Sequence, residues 1–169
     1  TAIGAIWGVG VAAEIALFVL QRRLFDRASP MRLLAFTFLV CGLRFAMVAA
    51  SDGALWVLLW AQTMHAATFG LHHSASMAVL HRWFPPAQQA RAQAAFIVVA
   101  YGFGGALGGL ACGWLWERIA PAAAFWGASA AGLAGWVAVV LAARLERGGA
   151  GGRDAAAPSP GDDRDGRLR

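Results

Sequence analysis

The stretch ALWVLLWAQTMHAATFGLHHSASMAVLH, Ala54 to His81, decides how the rest of the chain is read. An apolar segment this long crosses a bilayer as a helix. It nevertheless holds Gln62, His65, His72 and His73 in its interior, where ionisable side chains are costly and mark pathways through the membrane. At about 100° per residue, His65 and His72 fall within about 20° of each other, with Thr68 and Ser76 near the same line and Gln62 and His73 beside it. Lipid offers no hydrogen-bond partners, so this polar stripe is expected to face protein or a water-filled cavity, and it implies partner helices. Each histidine taken singly also fits a packing role, bonded to a neighbouring backbone or hydroxyl group. The stripe as a whole points to function.

Four further apolar runs flank this one, giving an all-α membrane protein with five transmembrane helices over about 2–21, 33–50, 54–80, 92–116 and 122–143. The polar loop QRRLFDRASPMR, Gln21 to Arg32, joins the first two, and Ser51, Asp52 and Gly53 form a tight turn after the second. Pro85 and Pro86 stop the third span. Its apolar body, Ala54 to Leu80, is ~40 Å long against ~30 Å of hydrocarbon, so it is expected to tilt or project. Residues 1–146 form the membrane domain. Beyond it the composition turns to Gly, Ala, Pro, Asp and Arg without periodicity, and 147–169 reads as a disordered cytoplasmic tail. The start at Thr1, without Met, reads as that of a fragment whose earlier helices are missing, inactive by itself.

Composition agrees. Of 169 residues, 59% are hydrophobic and only 14% charged, displaced from soluble domains in both directions. All 14 basic residues are Arg and the pI is near 10.9, which on its own would suggest nucleic acid. Apart from Arg44, however, the arginines lie in loops between spans, at span ends and in the tail, where membrane topology accounts for them, so no nucleic-acid partner is expected. The first and third loops are Arg-rich and the second has none. The positive-inside rule therefore places the N-terminus outside and the C-terminus in the cytoplasm. Cys41 and Cys112 each sit in an apolar run and read as buried free thiols, and no metal-ligand spacing or cofactor fingerprint is visible.

In the fourth span, Gly104 and Gly108, Gly105 and Gly109, and Gly109 and Gly113 stand four apart, the spacing that lets another helix backbone approach closely. Two charges lie inside spans. Counted along each helix, Glu14 is ~18 Å from the outer edge, His65 ~16 Å and Arg44 ~9 Å, so Glu14 and His65 share a depth that Arg44 can reach toward or snorkel away from. A lone mid-membrane carboxylate takes up a proton unless an Arg or His nearby favours its charged form. Glu14 is thus the candidate for a group that binds and releases a proton as its surroundings change.

The run WGVGVAAE from Trp7 to Glu14, a basic loop with Asp26, Arg27 and Arg32, an Arg in the next span, a His-bearing span and a Gly-rich span ending in GWLWE, Gly113 to Glu117, together resemble the C-terminal half of a major facilitator superfamily transporter. The similarity is greatest to the phenylpropionate permease branch, related to the proton-coupled sugar symporters. That resemblance implies helices eight to twelve of a twelve-helix fold in a bacterial inner membrane, with alternating access between two six-helix halves. It implies proton-coupled symport of a small organic solute such as an aromatic acid. Glu14, Arg44 and His65 match in type and helix the coupling and binding residues of the sugar symporters. An acidic residue one turn after that His is replaced here by Thr68 and Phe69. The superfamily's loop motif carries a Gly where Ser29 or Pro30 stands.

On this reading Glu14, His65 and His72 handle the proton; Arg44, Gln62, His65 and Thr68 bind substrate, Arg44 suiting a carboxylate; and Asp26, Arg27 and Arg32 belong to a gating loop. The expected partners are a small-molecule substrate, protons, the lipid bilayer and the missing helices. Expected cofactors and metals are none. The alternatives are a non-transporting receptor or assembly subunit with structural intramembrane charges, and a redox protein with haem on His65 or His72. No nucleophile and base pair suggests an enzyme.

Overall fold

Three prolines begin three of the helices. Pro30, Pro86 and Pro121 each stand at a helix start, where a missing N–H costs nothing and φ is already helical. A computed structural model describes residues 2–155, with side chains at 4 and from 6 to 148. It consists of five helical rods joined by short turns, with no strand among the described residues. The first helix is Ala2–Arg27 and the second Pro30–Ala49. The histidine helix covers 55–83, the fourth helix Pro86–Arg118 and the fifth Pro121–Ala155.

Several helix ends lie beyond the apolar runs that announced them. The first helix continues six residues past Gln21, because Leu24 and Phe25 still have a core to pack on: they meet Leu33, Leu71 and Ala75 where the first, second and histidine helices converge. Only Ala28 and Ser29 separate it from the second helix. Ser29, extended at φ −64° and ψ 148° ahead of Pro30, caps that helix through the N–H of Arg32. The fifth helix likewise runs through Arg144 to Ala155, into the segment whose composition reads as tail, and the rest of that tail, 156–169, lies outside the described residues. Between the second and histidine helices, Asp52 and Gly53 take left-handed conformations at φ 47° and 79°, and the Ser51 hydroxyl closes the turn on the Val48 carbonyl and the Gly53 N–H.

By length and composition, Pro30–Ala49, Pro86–Arg118 and Pro121–Gly148 are each long and apolar enough to cross a membrane. The histidine helix is broken into Leu55–Thr63, a π-helical segment Ala67–Leu71 and His72–Trp83, with a turn at Met64 between the first two. A second π segment, Ile97–Phe103, lies in the fourth helix. The closest packing joins the second and fifth helices. A Cβ on Gly132 would stand 2.8 Å from the Gly42 nitrogen, and the Ser129 hydroxyl donates to the Gly42 carbonyl at 2.8 Å. The fourth helix, by contrast, buries none of its apolar stretch.

Candidate functional site

Arg44 projects from the second helix into the histidine helix rather than outward. Its Nε donates to the Ala61 carbonyl at 2.9 Å, Nη1 to the Thr68 hydroxyl at 3.0 Å and Nη2 to Gln62 Oε1 at 3.4 Å. The guanidinium carbon lies 5.3 Å from the centroid of the Phe45 ring, within cation–π range. Thr68 in turn donates to the His65 carbonyl at 3.2 Å, so Gln62 and Thr68 act as a cradle for Arg44. Three of the guanidinium's five N–H groups are used in this way, and two have no partner among the described residues.

The cradle is one wall of a cavity of about 490 Å³ lined by Trp7, Gly10, Val11, Glu14, Arg44, Gln62, His65 and Phe69. The first helix comes close here because its partner is a glycine. A Cβ on Gly70 would lie 3.3 Å from the Phe18 ring and 3.4 Å from Glu14 Cγ. Glu14 is half-buried and, among the described residues, forms no ion pair with Arg44 or His65, although all three face the same space. His65 stacks on Phe69 with ring centroids 5.4 Å apart and planes 10° from parallel. Its buried Nδ1 has no hydrogen-bond partner among the described residues, an uncommon condition for a polar atom away from water.

The cavity therefore brings together Glu14, Arg44, Gln62 and His65, with Thr68 behind Arg44, and it leaves His72 out. The sequence projection put His65 and His72 on one face by assuming an unbroken α-helix. The π segment between them closes wider turns, equivalent to one inserted residue, and so rotates everything downstream by about 100°. His72 consequently faces the second helix. Its Nδ1 lies 3.0 Å from the hydroxyl of Thr37, a fully buried residue, and its ring packs edge-on to Phe38 at 4.9 Å. Since Thr37 also donates to the Leu34 carbonyl at 2.8 Å, the His72 Nδ1 is the donor in the pair. His73 turns toward the fourth helix, with Nδ1 3.3 Å from the Tyr101 hydroxyl.

Asp26 and Arg27 are exposed at the end of the first helix, outside this cavity, and Arg32 lines a different one. Reasoning from composition passed over the two aromatic walls, Trp7 and Phe69. Both were accessible from helical spacing: Trp7 is two turns before Glu14 on one face, and Phe69 is one turn after His65. A larger cavity of about 630 Å³ between the histidine and fourth helices is almost wholly apolar, with Gln88 and Arg91 as its polar residues besides the Trp83 indole. It lacks the opposed charges of the smaller one. No three His, Cys, Asp or Glu side chains among the described residues converge to hold a metal ion.

What the smaller cavity can do chemically follows from its contents. A fixed cation with two free N–H groups takes an anion, a carboxylic acid and an imidazole can each carry a proton, and an indole and a phenyl ring take a flat apolar group. A family model described as "MFS_1 like family" matches residues 1–126. The chain is 30% identical over 123 residues to a protein of Escherichia coli (strain K12) described as "Probable 3-phenylpropionic acid transporter", covering 70% of this chain and 31% of that relative. It thus spans about a third of the relative's length. No solved structure matches it.

Proposed function

The chain belongs to the MFS_1 like family of the major facilitator superfamily, a family of membrane transporters, and on that premise we propose that it contributes the binding and coupling residues of a proton-coupled symporter for a small aromatic carboxylate. The observation that carries this reading is the single cavity shared by Arg44, Glu14, His65, Trp7 and Phe69. Arg44 holds the substrate carboxylate through its two free N–H groups, and Trp7 and Phe69 receive the ring. Glu14, placed near the cation without touching it, exchanges its proton as the carboxylate arrives or leaves, with His65 as the adjacent proton carrier. Gln62 and Thr68 position Arg44. His72, bonded to Thr37, holds the second helix to the histidine helix and is not given a coupling role.

The site then alternates between the two sides of a bacterial inner membrane as two six-helix halves rock about it, substrate sites of such transporters lying near the midplane between repeats. The N-terminal end of the first helix lies outside and the Arg-rich loop with Asp26, Arg27 and Arg32 faces the cytoplasm and belongs to the gate.

The test is uptake of 3-phenylpropionate, benzoate, a sugar and a nucleoside by vesicles containing the full-length protein, with and without an imposed proton gradient. Gradient-driven accumulation of an aromatic acid is expected. Arg44→Gln reduces it at least about tenfold, as removal of a buried charged partner costs ~2 kcal/mol or more. Glu14→Gln abolishes dependence on the gradient while leaving substrate exchange intact. Uptake that survives Arg44→Gln, or gradient dependence that survives Glu14→Gln combined with His65→Ala, would sink the assignment.

A further inference from the structure

At the opposite end of the bundle, away from the substrate cavity, three arginines from three helices converge. A second cavity of about 480 Å³ is lined by Ser29, Met31 and Arg32 at the start of the second helix, Arg82 at the end of the histidine helix, and Glu146 and Arg147 on the fifth. The charges there do not balance. Both oxygens of Glu146 are engaged, one paired with Arg82 and the other accepting from the Trp83 indole N–H at 2.6 Å. Among the described residues, Arg32 has no carboxylate partner and Arg147 spends only its Nε, on the Ala143 carbonyl at 3.2 Å. Two guanidinium groups with free forked donors thus face one concavity, and the first turn of the 20-residue second helix adds the positive end of its dipole.

Depth identifies the surroundings. Trp83 is half-exposed beside this cavity, and an indole whose N–H is bonded at a helix end is characteristic of the headgroup level of a bilayer. Basic pockets between helices at that level hold phospholipid headgroups. We propose that this cavity binds a phosphate group, that of an anionic phospholipid such as phosphatidylglycerol, with Arg32 and Arg147 as its ligands and the Arg82–Glu146 pair lining the same cavity. Occupied, the site ties the second, histidine and fifth helices together at the membrane surface. The same donors fit a soluble phosphate monoester, and the experiment separates the two sources.

The full-length protein is taken up in detergent with equal amounts of phosphatidylglycerol and phosphatidylcholine, and the lipid that remains bound is measured by native mass spectrometry, with glycerol 3-phosphate added in a parallel arm. Two uncompensated arginines at about fivefold each, the equivalent of ~1 kcal/mol apiece, give an enrichment of phosphatidylglycerol of at least about tenfold. Arg32→Gln with Arg147→Gln reduces it below about threefold, the Lys pair at the same positions retains a preference, and Arg22→Gln with Arg23→Gln, at the same membrane surface, leaves it unchanged. Glu146→Gln raises it severalfold, a gain that misfolding cannot imitate. Displacement of phosphatidylglycerol by millimolar glycerol 3-phosphate would keep the phosphate site and assign it to a soluble ester. Enrichment that is absent, that survives loss of Arg32 and Arg147, or that falls equally with Arg22 and Arg23 overturns the proposal.

Discussion

Two glycine-bearing regions behave in opposite ways. On the second and fifth helices, Gly42, Gly132 and Gly135 are where the chain packs most closely: an added Cβ would meet the Gly42 backbone at 2.8 Å from Gly132, Leu133 at 2.8 Å from Gly42 and the Phe38 ring at 2.5 Å from Gly135. On the fourth helix, Gly102, Gly105, Gly108, Gly109 and Gly113 have none of the described residues within 4 Å of where a Cβ would stand. Yet the fourth helix has the repeated four-residue spacing, and the second has a single glycine. Small residues permit two backbones to approach; they do not choose which backbones. The choice is made where other contacts agree, here the Ser129 hydroxyl on the Gly42 carbonyl and Phe38 seated against Gly135.

The largest test of this difference is Gly132→Val. Its Cβ meets backbone, which cannot rotate aside, so the helices must separate, at a cost of about 3 kcal/mol read as a lowered unfolding midpoint of the full-length protein in detergent. Gly135→Ala meets only the edge of the Phe38 ring, which can swing away, and should cost about 1 to 2 kcal/mol in the same assay. Thr37→Val asks whether glycine packing alone positions the second helix. It removes the acceptor for His72 Nδ1 and should cost about 1 kcal/mol, a typical scale for a hydrogen bond between membrane helices, with Thr37→Ser restoring most of it. The smallest effect belongs to Gly109→Ala, where an open position and better helix propensity give between zero and about 1 kcal/mol of stabilisation. If Gly109→Ala instead lowered the midpoint as Gly132→Val does, a surface outside the described residues would cover the fourth helix.

Although the second and fourth helices begin at Pro30 and Pro86, ahead of the apolar runs expected from 33 and 92, helix count was legible in one dimension, because apolar length against bilayer thickness is a local property. So was the depth shared by Glu14 and His65, and both do line the cavity that Arg44 enters. Helix ends were less so. The first helix outruns its apolar run because Leu24 and Phe25 find a core on Leu33 and Leu71, a contact between residues remote in the chain.

The amino-acid pattern by itself determined that this chain is a bundle of apolar helices with a few costly charges held inside, since burying charge in a span without a partner is too unfavourable to be accidental. Only the tertiary structure decided which residues share a space. The π segment Ala67–Leu71 rotates His72 away from His65 and onto Thr37, because an inserted turn residue changes phase without changing spacing along the chain. It also decided that Trp7 and Phe69 wall the cavity, that the glycines of the second and fifth helices are the ones in contact, and that Arg32 and Arg147, 115 positions apart in number, face one concavity. Each of these depends on distances between helices, which no periodicity along one helix contains.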